Sequence, residues 1–155
     1  MTSNNRVIRL LNCQSQISYL FNFTFQDGWT PFHLSAREGD VEIMKILLEK
    51  DRQIVQTSSK NGRTPLHTAC LHSRLEAVKL ILQISNDRID LKTDSCGNLP
   101  IMDSVRSGSS LEILDLLVSL NPDSIYQKDT LYRNILHIAA ESGHVKVVQH
   151  LIKVS

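Results

Sequence analysis

The sequence predicts an all-α solenoid, built of helix–turn–helix units stacked side by side and joined by hairpin-like loops. Three observations carry that reading. A tetrapeptide returns as Thr30-Pro31-Phe32-His33, Thr64-Pro65-Leu66-His67, Leu99-Pro100-Ile101-Met102 and Asn134-Ile135-Leu136-His137, its starts 34, 35 and 35 residues apart. Behind each copy an apolar stripe runs at three- and four-residue intervals, which places it on one face of a helix. Ahead of the first three copies stand turn formers, Asp27-Gly28, Asn61-Gly62 and Cys96-Gly97-Asn98, suited to tight hairpins. One such unit cannot bury its stripe alone, so the units must stack.

The first unit, residues 27–60, holds the pattern in full. Thr30 can cap the first helix with its hydroxyl, and Pro31 fits the first turn, where a missing N–H has no intrahelical partner anyway. Ser35-Ala36 lets a neighbouring helix approach, Gly39 ends the helix, and Ile43, Met44, Ile46, Leu47 and Leu48 form the second helix's stripe. The second unit, 61–95, repeats this with Ala69-Cys70, with Ser73 in the glycine position, and with Ala77, Val78, Leu80, Ile81 and Leu82. The third, 96–130, is degenerate. It lacks both the threonine and the histidine, and one residue inserted after Gly108 shifts its stripe of Ile113, Leu114, Leu116, Leu117 and Val118. The fourth, 131–155, lacks the threonine and proline, carries Tyr132 where the others have a hairpin glycine, and has His150 interrupting Val147, Val148, Leu151 and Ile152. These departures predict that the last two units are held less rigidly than the first two.

Residues 1–26 read as a partial N-terminal repeat. Val7-Ile8-Arg9-Leu10-Leu11 matches the second helix of a unit, and an alternating aromatic loop over 17–25 follows. Six of the eight aromatic residues lie between Tyr19 and Phe32, so this segment packs on the first unit or offers an apolar patch to a partner. A chain that starts inside a repeat and stops directly after a stripe is expected to be a piece of a longer array, a natural short form being the alternative.

Composition narrows the function. The 155 residues carry 17 basic and 16 acidic side chains, a net charge of +1, so no basic field favours nucleic acid or anionic membrane. Three scattered cysteines, Cys13, Cys70 and Cys96, cannot form a disulfide framework. With no signal-peptide pattern and no apolar run long enough to span a bilayer, the expected location is the cytoplasm or the nucleus. No phosphate-cradling glycine loop, nucleophile elbow or zinc-spaced cysteine pair occurs, so neither an enzyme nor a bound cofactor or metal is expected.

The in-register tetrapeptides, small-residue pairs and hairpin glycines resemble the ankyrin-repeat family, over residues 27 to about 153. That resemblance implies a non-catalytic module that binds a partner protein on a concave face of hairpin tips and first helices. Carried over by repeat position, the partner-binding candidates are Trp29 and Arg37, then Arg63, Leu71 and His72, then Asn98, Asp103 and Arg106, and finally Arg133 and Glu141. Trp29 and the arginines are the expected anchors, since tryptophan and arginine dominate interface hot spots. The resemblance also makes His33, His67 and His137 structural, bonding within and between turns, because stacked repeats hold such residues too far apart to share a metal. His72, His144 and His150 read as ordinary surface or half-buried side chains, and Cys70 as a buried, inert thiol. The alternative role is a structural spacer within a longer array.

A closer resemblance, to one member of the family, rests on several stretches off the general pattern. They are Asp27-Gly28-Trp29, Arg37 to Asp40, Arg63 to Ala69, Leu75 to Lys79 and Pro100 to Asp103. It implies alanyl-tRNA synthetase as the partner and an accessory role in its proofreading.

Overall fold

The computed structural model describes residues 26–85, 91–108 and 110–154. The expected partial repeat and the aromatic segment 17–25 therefore lie outside the described residues. Four helix pairs follow one another: α1 (Pro31–Glu38) with α2 (Val41–Lys50), α3 (Pro65–Leu71) with α4 (Leu75–Ile84), α5 (Pro100–Ser107) with α6 (Leu111–Leu120), and α7 (Ile135–Glu141) with α8 (Val145–Val154). Short 3-10 turns at Gln26–Gly28, Arg52–Gln56 and Pro122–Tyr126 join them, and no strand occurs among the described residues.

First helices pack on first helices, α1 on α3, α3 on α5 and α5 on α7, while α2 packs on α4 and α4 on α6 in a second layer. The core fills the space between layers and between repeats. Phe32, Met44, Leu66, Ile81, Ile101, Met102, Ile113, Leu114, Ile135 and Ile138 are all fully buried there. Each such side chain contributes roughly 1.5–3 kcal/mol on leaving water, so stability resides in the contacts between units.

The stripes are narrower than the sequence suggests. On α2 only Met44 and Leu48 are buried, whereas Ile43 and Ile46 are exposed. This ten-residue helix carries six apolar residues, more than one packed face covers. In the later second helices the positions of Ile43 and Leu47 are buried, as Ala77 and Ile81, Ile113 and Leu117, and Val147 and Leu151.

Helix starts follow the tetrapeptides closely. The Thr30 hydroxyl accepts from the His33 N–H, while the His33 Nδ1 accepts from the Thr30 N–H at 3.2 Å, and Thr64 with His67 repeats the box at 3.1 Å. In the fourth unit Asn134 replaces the missing threonine, its Oδ1 accepting from the His137 N–H at 3.1 Å. Leu99 makes no side-chain cap at all. Gly108 ends α5 at φ +66, and the His144 ring lies against it so closely that no Cβ would fit there.

Candidate functional site

The hairpins set the register of the first-helix face. Each closes on itself: the N–H groups of Ser59, Asp94 and Asp129 donate to the carbonyls of Arg63, Asn98 and Arg133 at 2.9–3.0 Å. Each is also tied to the preceding hairpin, with the N–H groups of Lys60, Ser95 and Thr130 donating to the carbonyls of Asp27, Asn61 and Cys96 at 2.7, 2.9 and 3.0 Å. Two acids that the sequence reading passed over organise the later turns. The Asp94 carboxylate accepts from the N–H groups of Cys96 and Asn98, and that of Asp129 from those of Leu131 and Arg133, each at 2.9 Å. An Asp two residues ahead of a tight turn is the signal that could have located them.

The histidines form a ladder across this face. The Nε2 of His33 meets the Arg63 carbonyl at 3.0 Å, and that of His67 meets the Asn98 carbonyl at 3.0 Å. A carbonyl can only accept, so Nε2 carries the proton and Nδ1 is left to accept from the threonine N–H. Both rings are neutral donors between one repeat and the next. Burial lowers the pKa of His33, and it takes that of His67 down to about 4. With both nitrogens engaged, neither ring can ligate a metal without surrendering a hydrogen bond. Among the described residues no group of His, Cys, Asp or Glu is arranged to hold one.

The third repeat, which lacks the threonine and histidine, adds charge to its joint with the second. Asp103 is fully buried, and its two oxygens are held by Arg63 at 2.6 Å and Arg106 at 2.9 Å. Arg63 also reaches Asp94 at 3.2 Å, and the Asn98 side chain bridges Asp94 to Arg106. Arg63 belongs to the second repeat and Asp103 to the third, so the cluster is an inter-repeat clamp. Burial pushes the Asp103 carboxyl up to about 6, against the pull of the two arginines.

This corrects the list of face residues. Asn98 and Asp103 are buried and committed to the clamp, so they offer nothing to a partner; Arg63, at 19% side-chain exposure, is largely spent on it. The reason is physical: an uncapped repeat needs its polar side chains for its own backbone and for its neighbour. Arg106 is half-buried and shared between clamp and solvent. Arg37, His72 and Glu141 are exposed, while Trp29, Leu71 and Arg133 are half-buried. Trp29 lies against His33 with ring centroids 5.9 Å apart, Arg37 pairs with Glu38, and Arg133 pairs with Asp129 at 2.8 Å and with Glu141 at 2.7 Å. Burial, then the nearby Arg37 and Arg74 guanidiniums, lowers the His72 pKa.

Two histidines taken as ordinary are structural links. The Nε2 of His144 meets the Arg106 carbonyl at 2.9 Å, in the same way that the Arg74 Nε donates to the Arg37 carbonyl at 2.9 Å two joints earlier. His150 pairs with Asp115 across the second layer. Cys70 is fully buried, and burial raises its thiol pKa well above the ordinary value; Cys96 is exposed.

A family model described as "Ankyrin repeats (3 copies)" matches residues 2–93, and one described as "Ankyrin repeat" matches residues 131–155. The chain belongs to the ankyrin-repeat family. Its degenerate third repeat falls between the two matched stretches. Similar proteins include Rabankyrin-5 of Mus musculus, 30% identical over 129 residues, covering 83% of this chain and 11% of that protein. The SMC5-SMC6 complex localization factor protein 1 of Bos taurus is 30% identical over 98 residues, 63% of this chain and 9% of its own length. An ankyrin repeat and KH domain-containing protein of Caenorhabditis briggsae is 29% identical over 133 residues, 82% and 4% respectively. The chain thus spans a small part of each ankyrin relative. Ankyrin repeats generally mediate protein–protein interaction and are generally non-catalytic modules. No helix among the described residues is long and apolar enough to cross a membrane.

Proposed function

We propose that the hairpin-and-first-helix face binds a folded protein partner. The observation that carries this reading is the row at the ends of the four first helices. Arg37, Leu71, Arg106 and Glu141 occupy the same place in successive repeats, all at least partly exposed, with His72 next in the chain to Leu71 and Trp29 at the hairpin end of α1. Stacking holds that row in place before any partner arrives, so little ordering entropy opposes binding. Cationic and aromatic groups lie toward the first three repeats and an acid toward the fourth, which favours one docking direction.

The stretches that resemble ankyrin repeat domain-containing protein sixteen make alanyl-tRNA synthetase the first partner to test, as an accessory to its proofreading in the cytoplasm or nucleus. Purified synthetase is titrated onto the immobilised chain, beside variants Trp29→Ala and Arg37→Glu and the pair combined. The expected result is saturable binding that the double variant weakens by about tenfold or more, with helical circular dichroism unchanged. Absence of binding removes the synthetase; equal binding by wild type and double variant removes this face. Arg63→Glu is unsuitable, because it would break the Asp103 clamp rather than report on a contact.

A further inference from the structure

The hairpin tips are the steps Asp27-Gly28, Asn61-Gly62, Cys96-Gly97 and Leu131-Tyr132, the second residue of each left-handed at φ of +79, +73, +74 and +60. Only the second tip carries an amide, and of the chain's nine asparagines Asn61 alone precedes a glycine. That pairing has its own chemistry. A backbone nitrogen can attack the side-chain amide carbon of the residue before it, and glycine, lacking a side chain, hinders the attack least. The other described asparagines are protected. Asn121 precedes Pro122, which has no N–H to give up. Asn134 caps α7 and precedes the β-branched Ile135. Asn98 is buried, its side chain committed to Asp94 and Arg106. Asn61 is exposed, and its side chain makes no hydrogen bond among the described residues.

The place of this step matters as much as its chemistry. The Asn61 carbonyl accepts from the Ser95 N–H at 2.9 Å, the hairpin-to-hairpin bond of the joint between the second and third repeats. Gly62 lies so close to the third hairpin that a Cβ on it would stand 3.3 Å from the Asp94 Cα. The next residue, Arg63, makes the clamp to Asp94 and Asp103. The Gly62 N–H donates to the Ser59 carbonyl at 2.9 Å, so its nitrogen is released for attack only when the tip opens.

We propose that Asn61 is a site of spontaneous deamidation, and that its reaction loosens the joint between the second and third repeats. The Gly62 nitrogen, its proton lost to solvent, bonds to the Asn61 Cγ; the Cγ–Nδ2 bond breaks and that nitrogen leaves as ammonia. Water then opens the cyclic imide. Attack at Cγ breaks the new bond and leaves an ordinary aspartyl residue. Attack at the backbone carbonyl carbon breaks the original peptide bond and leaves an isoaspartyl link, in which the chain runs through Cβ and Cγ. The second product lengthens the backbone at the tip by a methylene, against a neighbour with no room for it. It also turns the carbonyl that Ser95 bonds into a displaced carboxylate. The chain thus carries a chemical clock on the joint that the Arg63–Asp103 clamp also serves.

The full chain is held in warm, mildly alkaline buffer and sampled over days, beside Asn61→Ser and Asn61→Asp. Peptide mapping by mass spectrometry is expected to find the mass gain of an amide turned into an acid at Asn61, in two isomeric forms, well before Asn98, Asn121 or Asn134. A chain unchanged at Asn61, or changed first at one of those three, overturns the proposal. In the aged chain the Ser95 N–H is expected to exchange with solvent about tenfold faster, while aged Asn61→Ser and fresh Asn61→Asp keep it protected. Asn61→Asp carries the new charge without the lengthened backbone. Full Ser95 protection in chains that hold the isoaspartyl link overturns the proposal, and so does an equal loss of protection in fresh Asn61→Asp.

Discussion

The second and third repeats solve one problem with different chemistry. In the second, Thr64 and His67 cap the helix and His67 reaches the next hairpin, all with neutral groups. The third has Leu99 and Met102 at those positions, neither able to cap, and its joint with the second carries Asp94, Asp103, Arg63 and Arg106 in addition to the His67 bond. A neutral hydrogen bond is cheap to bury. A carboxylate is not, and it stays ionised in the interior only while guanidiniums face it. The comparison teaches that a degenerate repeat need not be a loose one: α5 is buried from Pro100 through Val105.

The most disruptive way to break the ionic half is Asp103→Ala. It strands two guanidiniums beside a small cavity, and we expect a loss of about 3 kcal/mol, at the low end for a broken buried pair because both arginines can turn toward water. Urea unfolding measures it, and a loss below about 1 kcal/mol would mean that the clamp contributes little.

Acid sharpens the contrast, because the two devices respond with opposite signs. His67 is neutral in the fold with a pKa of about 4, so its stabilisation is complete above pH 6.5 and is lost as pH falls toward 4. Asp103 has a pKa of about 6, so its contribution is complete below the ordinary carboxylate value and is lost as pH rises through 6. The two offset one another between pH 4 and 6. In Asp103→Asn the opposing group is gone, and His67 should lower stability by on the order of 3 kcal/mol from pH 6.5 to 4, with His33 acting in the same direction, so the fall is steeper than in wild type. Equal acid slopes for the two proteins would refute the opposition.

A smaller effect separates histidines at two places in the ladder. His67→Ala removes two buried hydrogen bonds and should cost about 2 kcal/mol, whereas His137→Ala, at an exposed rung with only its local cap, should cost under about 1 kcal/mol. Comparable losses in thermal melts would show that the inter-repeat bond is worth little. Smallest is Tyr132→Gly, expected to gain about 1 kcal/mol by relieving the left-handed turn.

Much of this was legible in advance, for a local reason. Capping by Thr30 and Thr64, turns at Asp27-Gly28 and Asn61-Gly62, and stripes on the second helices are short-range preferences that a sequence displays directly. The histidine ladder was readable because it recurs in register. The clamp was not. Only Arg63 and Asn98 share a repeat position, while Asp94, Asp103 and Arg106 each hold a different one, so no periodicity groups the five, and Asn98 and Asp103 looked like free face residues by register alone.

The sequence by itself determined the architecture, because a period of 34–35 residues with apolar stripes admits only stacking. Only the tertiary structure decided which polar groups are spent inside the stack and which remain for partners. Burial and charge pairing depend on distances between repeats, and those exist only once the units have packed.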